Sequence, residues 1–409
     1  MHKKKRGQVT VYIILGIIIL FSAILLFYLR GTTEKEIGVQ ELIIAQKIPR
    51  EVRPITNYVT TNLDDATKKG LLLIGMQGGY IYESQGGPIP DPIEEGNDFI
   101  YYKDHKVFYN IHKQNNNLFN YYFYKPKYYP WYYYPYSHFP KSGEKGSFAG
   151  FFGISNLPPL NGSSPSIQFQ LMEFITNYLK ENINLTIFDK QGFEIDADIN
   201  NINVSVIIGE NDVIAFLEYS LGIKKKLTNT ITNVSYFYTN PQIRLKKVYN
   251  FTDFIINKDT TDILFNINNS ENNKDDINIE KIENAYNYDD IIIIRDNKSM
   301  LYAEPYTFQF ARENRYPALR YIPITKLTFF GTQAIMEEEI TESRINPKAD
   351  DPDEDEIDFT YEPNLPYHVT QSDFDRGYIN LIVYAREKDN EDYSDWQELK
   401  IEVIRESEY

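Results

Sequence analysis

Twenty-two consecutive residues without a charge, Gln8 to Leu29, constrain this chain more than any other feature. Val11 to Leu29 is almost wholly apolar. As a helix rising about 1.5 Å per residue it reaches roughly 33 Å, against a bilayer core of about 30 Å. Lys3, Lys4, Lys5 and Arg6 precede it. By the positive-inside rule they place the N-terminus in the cytoplasm and the bulk of the chain outside. The stretch is longer than the apolar core of a cleaved secretory leader, and no small-x-small site precedes Arg30-Gly31-Thr32-Thr33. The expectation is a single retained span of the plasma membrane, with residues 1–30 as basic stub and anchor. Membrane is thus the first expected partner.

Fifty-eight Asp and Glu face forty-two Lys and Arg, a net charge of −16, and five of the basic residues lie within the first thirty positions. The remainder therefore carries −21. That sign argues against nucleic acid, because phosphate contacts need clustered Lys and Arg. The absence of Cys removes disulfides, zinc knuckles, iron–sulfur clusters and thiol nucleophiles together. His105 and His112 lie in a polar aromatic stretch without H-E-x-x-H, and there is no G-x-S-x-G, P-loop or dinucleotide fingerprint. No catalytic residue and no required cofactor is expected. Paired carboxylates for glycoside hydrolysis are a spatial feature that sequence does not display, so an extracellular hydrolase stays as a third reading.

The residues outside the membrane predict an α+β multidomain chain. Residues 31–78 read as stalk helices, broken near Pro49 and Pro54, with Ile55, Val59, Leu63, Ala66 and Leu73 roughly on one face. Gly75-Met76-Gln77-Gly78-Gly79 stops the helix, and Tyr80-Ile81-Tyr82 follows as a short strand. Residues 79–160 hold the Tyr/Pro-rich segment. There Tyr128, Tyr129, Trp131 and Tyr133 are interleaved with prolines that forbid a regular helix or a central strand. Such rigid rings suit packing over a core, contact with a surface protein, or stacking on a glycan partner.

Residues 161–300 read as one α+β domain. Ser164-Pro165 opens a helix whose face is Ile167, Leu171, Phe174, Ile175, Tyr178 and Leu179. Strands are expected over Asn184–Asp189, Phe193–Ala197, Val204–Ile208 and Val213–Tyr219, with a Gly209–Asp212 hairpin turn between the last two. A second helix over Arg244–Ile256 would bury Val248, Phe251, Phe254 and Ile255, and Ile291–Ile294 reads as a buried strand. Residues 301–409, with short β-rich runs between polar turns, predict a C-terminal β-sandwich. Every N-x-Ser/Thr sequon falls in 161–300: Asn161, Asn184, Asn203, Asn233, Asn250, Asn268 and Asn297. On the outer side of a membrane these are glycosylation candidates.

Two resemblances sharpen the picture. Lys5-Arg6-Gly7-Gln8-Val9-Thr10-Val11 resembles the archaeal class III signal, cut after Gly7 to leave Gln8 as the mature N-terminus with the apolar helix retained. Tyr12 stands where pilins carry Glu. The segment Leu71 to Ile81, around Met76-Gln77-Gly78-Gly79-Tyr80-Ile81, looks like a "GLQGGYI" segment found in a family of archaeal membrane-anchored surface proteins of unassigned activity. Asn156-Leu157-Pro158-Pro159-Leu160, Ser166 to Leu171, Gly209 to Val213 and Phe310-Ala311-Arg312-Glu313-Asn314-Arg315 agree with it. Farther on, Ala349-Asp350-Asp351-Pro352-Asp353-Glu354-Asp355 through Tyr361, with Ser394-Asp395-Trp396, resembles cadherin-like or immunoglobulin-like modules of microbial surface proteins. Glu354 stands where that motif carries Gly.

Asp350, Asp351, Asp353, Glu354, Asp355, Glu356 and Asp358 crowd seven carboxylates into nine residues. The alternation of oxygen donors suits Ca²⁺, with Asp351, Asp353 and Asp355 as expected ligands; a solvated acidic loop is the other reading. The leading functional expectation is a non-catalytic cell-surface protein in adhesion or envelope scaffolding. The alternative is a pilin-like filament subunit processed after Gly7, a homo-oligomer through its N-terminal helix.

Overall fold

The computed structural model describes residues 48–113, 145–146, 153–274, 276–324, 326–330, 339–388 and 390–406. Gly7, Gln8, the apolar stretch that follows and the rings of Tyr128, Tyr129, Trp131 and Tyr133 lie outside the described residues. Among the described residues no helix is long and apolar enough to cross a membrane. The fold is α+β, richer in strand than in helix, and the chain divides into two units.

The first unit takes Met1–Thr67, Ile175–Ser205 and Ile214–Asn240. Helix α1 (Arg53–Met76) begins in it, with Pro54 in the first turn, where a missing N–H breaks no helical bond. Pro49 caps the short 3-10 turn Arg50–Val52, so both prolines mark the helix start. Ile55, Val59, Leu63 and Ala66 are all buried, as their spacing requires. The unit's sheet runs β5 (Phe193–Asp196), β7 (Val213–Lys225), β6 (Asn203–Ile208), with β8 (Ile231–Thr239) also paired to β7. Ala215, Leu217, Tyr219, Leu221 and Ile223 alternate inward along β7, the period of a half-buried strand. The Thr239 hydroxyl on β8 donates to the Asp64 carboxylate on α1 at 2.5 Å.

One expected strand in this unit is absent. Residues Leu185–Gln191 form a 3-10 helix instead. The Asn184 side chain accepts from the Thr186 N–H at 3.2 Å, and this local turn competes successfully with an extended backbone.

The second unit takes Lys68–Phe174, Val206–Val213 and Pro241–Tyr409. Its first sheet is ordered β1 (Phe99–Tyr102), β2 (His105–Lys113), β11 (Glu304–Arg312), β10 (Asp289–Leu301), β9 (Ile277–Tyr286), and β4 (Gly153–Ser155) pairs with β2. β2 and β11 run parallel; their neighbours are antiparallel. All four residues of the Ile291–Ile294 run are buried on β10, between β11 and β9. Ile291 and Ile293 cluster with Ile100, Val107, Tyr109 and Ala311. The β10–β11 hairpin crosses residue 300, and β1 and β2 come from the 79–160 segment. The domain boundaries expected at 160 and 300 therefore fall inside a single sheet.

The end of α1 packs against β11. The Tyr306 hydroxyl donates to the Leu71 carbonyl at 3.2 Å, and the Gln309 amide donates to the Met76 carbonyl at 2.8 Å. The Met76 carbonyl is one that a helix C-terminus leaves open. The approach is so close that a Cβ on Gly75 would stand 2.2 Å from the Thr307 carbonyl oxygen. Gly75→Ala is therefore expected to destabilise the protein by about 1–3 kcal/mol through overpacking, read as a lowered Tm. Gly78 and Gly79, at φ 72° and 96°, end the helix as expected. Only Tyr82 of the expected strand pairs, in a single bridge to Ile89.

Helix α2 (Ile167–Asn182) starts later than expected: Ser166, not Ser164, accepts from the Phe169 N–H at 3.2 Å. Helix α3 (Leu245–Thr261) buries Val248, Phe251 and Ile255, whereas Phe254 is exposed and Ile256 takes the core position. The Gly209–Asp212 turn closes as expected, with Gly209 N donating to Asp212 O at 2.9 Å.

The second sheet of this unit is ordered β13 (Lys326–Phe330), β19 (Asn390–Glu406), β18 (Tyr378–Glu387), β16 (Ile357–Glu362), with β3 (Lys145–Gly146) on β19. Two ribbons accompany it, β12 (Ala318–Leu319) with β15 (Ala349–Asp350), and β14 (Glu339–Ile340) with β17 (Tyr367–His368). Leu319 and Ile340 from the ribbons share one buried cluster with Leu381, Val383, Leu399 and Ile401 from the sheet. Asp395 and Gln397 on β19 pin the connecting chain by accepting from Leu319 N at 2.8 Å and Ile322 N at 2.9 Å.

Candidate functional site

The end of β11 and the four residues 312–315 make the most concentrated polar site among the described residues. Every residue of Arg312-Glu313-Asn314-Arg315 is partnered, and the two arginines share Asp259 and Asp353. Arg312 donates to Asp259 on α3 at 3.0 Å and to Asp290 on β10 at 2.6 Å. Glu313 pairs with Lys113 at 2.9 Å and with His112 at 3.2 Å, both on β2. Asn314 accepts nothing from its partners here; its N–H donates to Asp289 at 2.7 Å and its amide donates to Glu387 at 2.9 Å. Arg315 reaches the acidic loop after β15, donating to Asp353 from Nη2 at 2.7 Å, from Nε at 3.1 Å and from its backbone N–H at 2.7 Å.

Arg312 and Arg315 are among the largest fully buried side chains. Burying one guanidinium unpaired costs several kcal/mol, by order of magnitude, so the partners are obligatory. The charges balance. Two guanidinium groups and the Lys281 ammonium, itself 4% exposed, face Asp259, Asp290 and Asp353. Burial opposes ionisation of Asp353, but Arg315 and Arg312 outweigh it and hold its carboxyl below the usual range. The result is a neutral clasp that joins α3, the first sheet and the acidic loop.

Beside the clasp lies a second group of carboxyls. One carboxylate oxygen each from Asp351, Asp355 and Glu387 lie within 4.8 Å of one another. Among the described residues none of the three forms an ion pair with Lys or Arg. Glu387 is only 3% exposed, and its Oε1, like Oδ2 of Asp351, has no hydrogen-bond partner among the described residues. Burial, and then the neighbouring carboxylates, push all three upward: Asp355 to about 6, Glu387 to about 9, and Asp351 well above its ordinary range. Asp351 also builds the turn, accepting from Asp353 N at 2.8 Å and Asp355 N at 3.1 Å. Within that turn Glu354 sits at φ 72°, the left-handed region where the resembled motif carries Gly.

The expected ligand set is thus divided. Asp351 and Asp355 come together, while Asp353 turns away into the arginine clasp and Glu387, from the end of β18, takes its place. The solvated-loop reading holds for Glu356 and Asp358, which are exposed, but Asp353 is buried. Asp355 and Glu387 also line a cleft of about 70 Å³ together with Asn284, Tyr288, Glu356, Lys388 and Asn390. All seven sequon asparagines, Asn161, Asn184, Asn203, Asn233, Asn250, Asn268 and Asn297, are exposed. Sequence reasoning missed Glu387, Lys281, Asp259 and Asp290. The signal for the clasp was present in the Arg-Glu-Asn-Arg motif, whereas Glu387 carried none.

Asp289 supplies a separate pH handle. Burial pushes its carboxyl from the ordinary 3.8 to about 6, against the bonds it accepts from Asn314 N and, at 2.5 Å, the Tyr109 hydroxyl. The folded state binds this proton more tightly than the unfolded one. Its contribution to stability is therefore full below the ordinary value and is lost as pH rises through about 6. Asp289→Asn is expected to flatten the fall of Tm across that window in a pH series.

No family model matches the chain, and no curated protein and no solved structure matches it either.

Proposed function

We propose that this chain is a non-catalytic, single-pass, membrane-anchored protein of the cell surface that acts in adhesion or cell-envelope scaffolding. Its N-terminus is cytoplasmic, the bulk of the chain is extracellular, and the second sheet with its two ribbons, within residues 318–406, acts as a cadherin-like or immunoglobulin-like β-sandwich. The observation that carries this reading is a pairing. The 22-residue uncharged stretch follows four basic residues, and the seven sequon asparagines beyond it are all solvent-exposed. The shared cluster of ribbon and sheet residues supports the sandwich, because it gives two layers one core.

The chemistry of the site favours a structural role over hydrolysis. The strongest charges are spent on one another in the clasp. The cleft beside Asp355 and Glu387, at about 70 Å³, is well below the roughly 300–1,000 Å³ of pockets that enclose a small organic ligand. A filament subunit is the second reading, favoured by the class III-like Gly7-Gln8 junction. A strain lacking the chain tests the main proposal. Loss of attachment or of envelope integrity is expected, restored by the full chain but not by one lacking residues 2–30. Unchanged attachment and an intact envelope contradict it.

A further inference from the structure

We infer that Asp351, Asp355 and Glu387 form a divalent-cation site suited to Ca²⁺, which ties the acidic loop after β15 to the end of β18. The inference stands on the geometry of the second unit alone and is independent of where the chain resides.

Three observations converge. First, the spacing fits: oxygens bound to a common Ca²⁺ at about 2.4 Å lie at most about 4.8 Å apart, and the three carboxylate oxygens fall within 4.8 Å of one another. Second, the donors are open: Oε1 of the buried Glu387 and Oδ2 of Asp351 are inside the protein and lack a hydrogen-bond partner among the described residues. A native fold rarely leaves such atoms bare, so they call for a ligand. Third, the group has no basic partner among the described residues, because the two nearby guanidinium groups and Lys281 are already set against Asp259, Asp290 and Asp353. Three clustered carboxylates repel unless a cation, or protons, neutralise them.

The donor type selects the ion. All three ligands are hard oxygens, with neither Cys nor His in the group, which disfavours zinc and copper. Ca²⁺ accepts six to eight oxygens in flexible geometry, and the small cleft lined by Asp355 and Glu387 gives water a route to the remaining positions. Asp353 is excluded as a ligand because Arg315 holds both of its oxygens. Its role is to anchor the loop so that Asp351 and Asp355 face Glu387.

The test uses the full chain in detergent, with CaCl₂, MgCl₂ or EGTA, read by calorimetric titration and by thermal unfolding. One Ca²⁺ per chain is expected, removable by EGTA and accompanied by a higher Tm. Glu387→Gln is expected to weaken Ca²⁺ roughly tenfold or more. The same variant, with a neutral amide in place of a buried acid, should match or exceed the parent Tm in EGTA and fall below it in Ca²⁺. That crossing separates ligand loss from misfolding, which would lower Tm under both conditions. Asp358→Asn, an exposed member of the same acidic run, should leave binding unchanged. Absence of binding at millimolar Ca²⁺ overturns the inference, as does equal loss in Asp358→Asn. Mg²⁺ binding as tightly as Ca²⁺ overturns the choice of ion.

Discussion

Arg315→Met is expected to lower the stability of the second unit by about 3–5 kcal/mol, because it strands a buried carboxylate rather than removing a surface pair. Asp353 loses the Nη2 and Nε donors of Arg315, at 2.7 and 3.1 Å, and keeps the backbone N–H of residue 315 at 2.7 Å and one remaining guanidinium, Arg312, whose Nε lies 3.3 Å away. The Asp259 carboxylate loses the Arg315 Nη2 at 2.9 Å as well. Removing both partners, in Arg315→Met with Asp353→Leu, should recover most of the loss, since a charge is then no longer left alone in the interior. The exposed Lys224–Glu194 pair gives the contrast: Lys224→Ala should change stability by no more than about 1 kcal/mol. Denaturant unfolding of the three variants measures the ordering directly. Equal, small effects for Arg315→Met and Lys224→Ala would mean that the clasp is not what joins these elements.

Deleting residues 2–30 should move the protein from the membrane fraction to the soluble fraction almost completely. Fourteen Leu, Ile, Phe and Val lie between Val11 and Leu29. At about 0.3–0.6 kcal/mol each near a helix centre, they favour insertion by about 4–8 kcal/mol. Alkaline carbonate extraction distinguishes a span from a surface association. The full chain should stay in the pellet and the truncated chain should leave it. A truncated chain that remains in the pellet would show that another surface holds the membrane.

Local patterns carried the fold where one periodicity acted alone. Ile55, Val59, Leu63 and Ala66 predicted a buried helical face, and Ile291–Ile294 predicted a strand buried on both faces. Expectation failed where a side chain competed with the backbone or where long-range pairing decided. Asn184 turned its strand into a 3-10 helix through the bond from Thr186 N, and the period alone could not choose Ile256 over Phe254. The β10–β11 hairpin over residue 300 was hidden because a boundary drawn from composition does not see pairing. In the site, the acidic run was visible, but which carboxylates turn inward depended on Arg312 and Arg315. Glu387 enters from another strand, and nothing near it in sequence marks it.

The proposed function requires that a single N-terminal span hold this chain with its folded portion outside the cell. Mass spectrometry of the N-terminal peptide from native membranes tests it, combined with impermeant amine labelling of intact cells. The account expects a terminus at Met1 or His2, or at Gln8 if the filament reading holds, with the exposed Lys298 labelled before lysis. A terminus beyond Leu29, or labelling of Lys298 only after lysis, would contradict it.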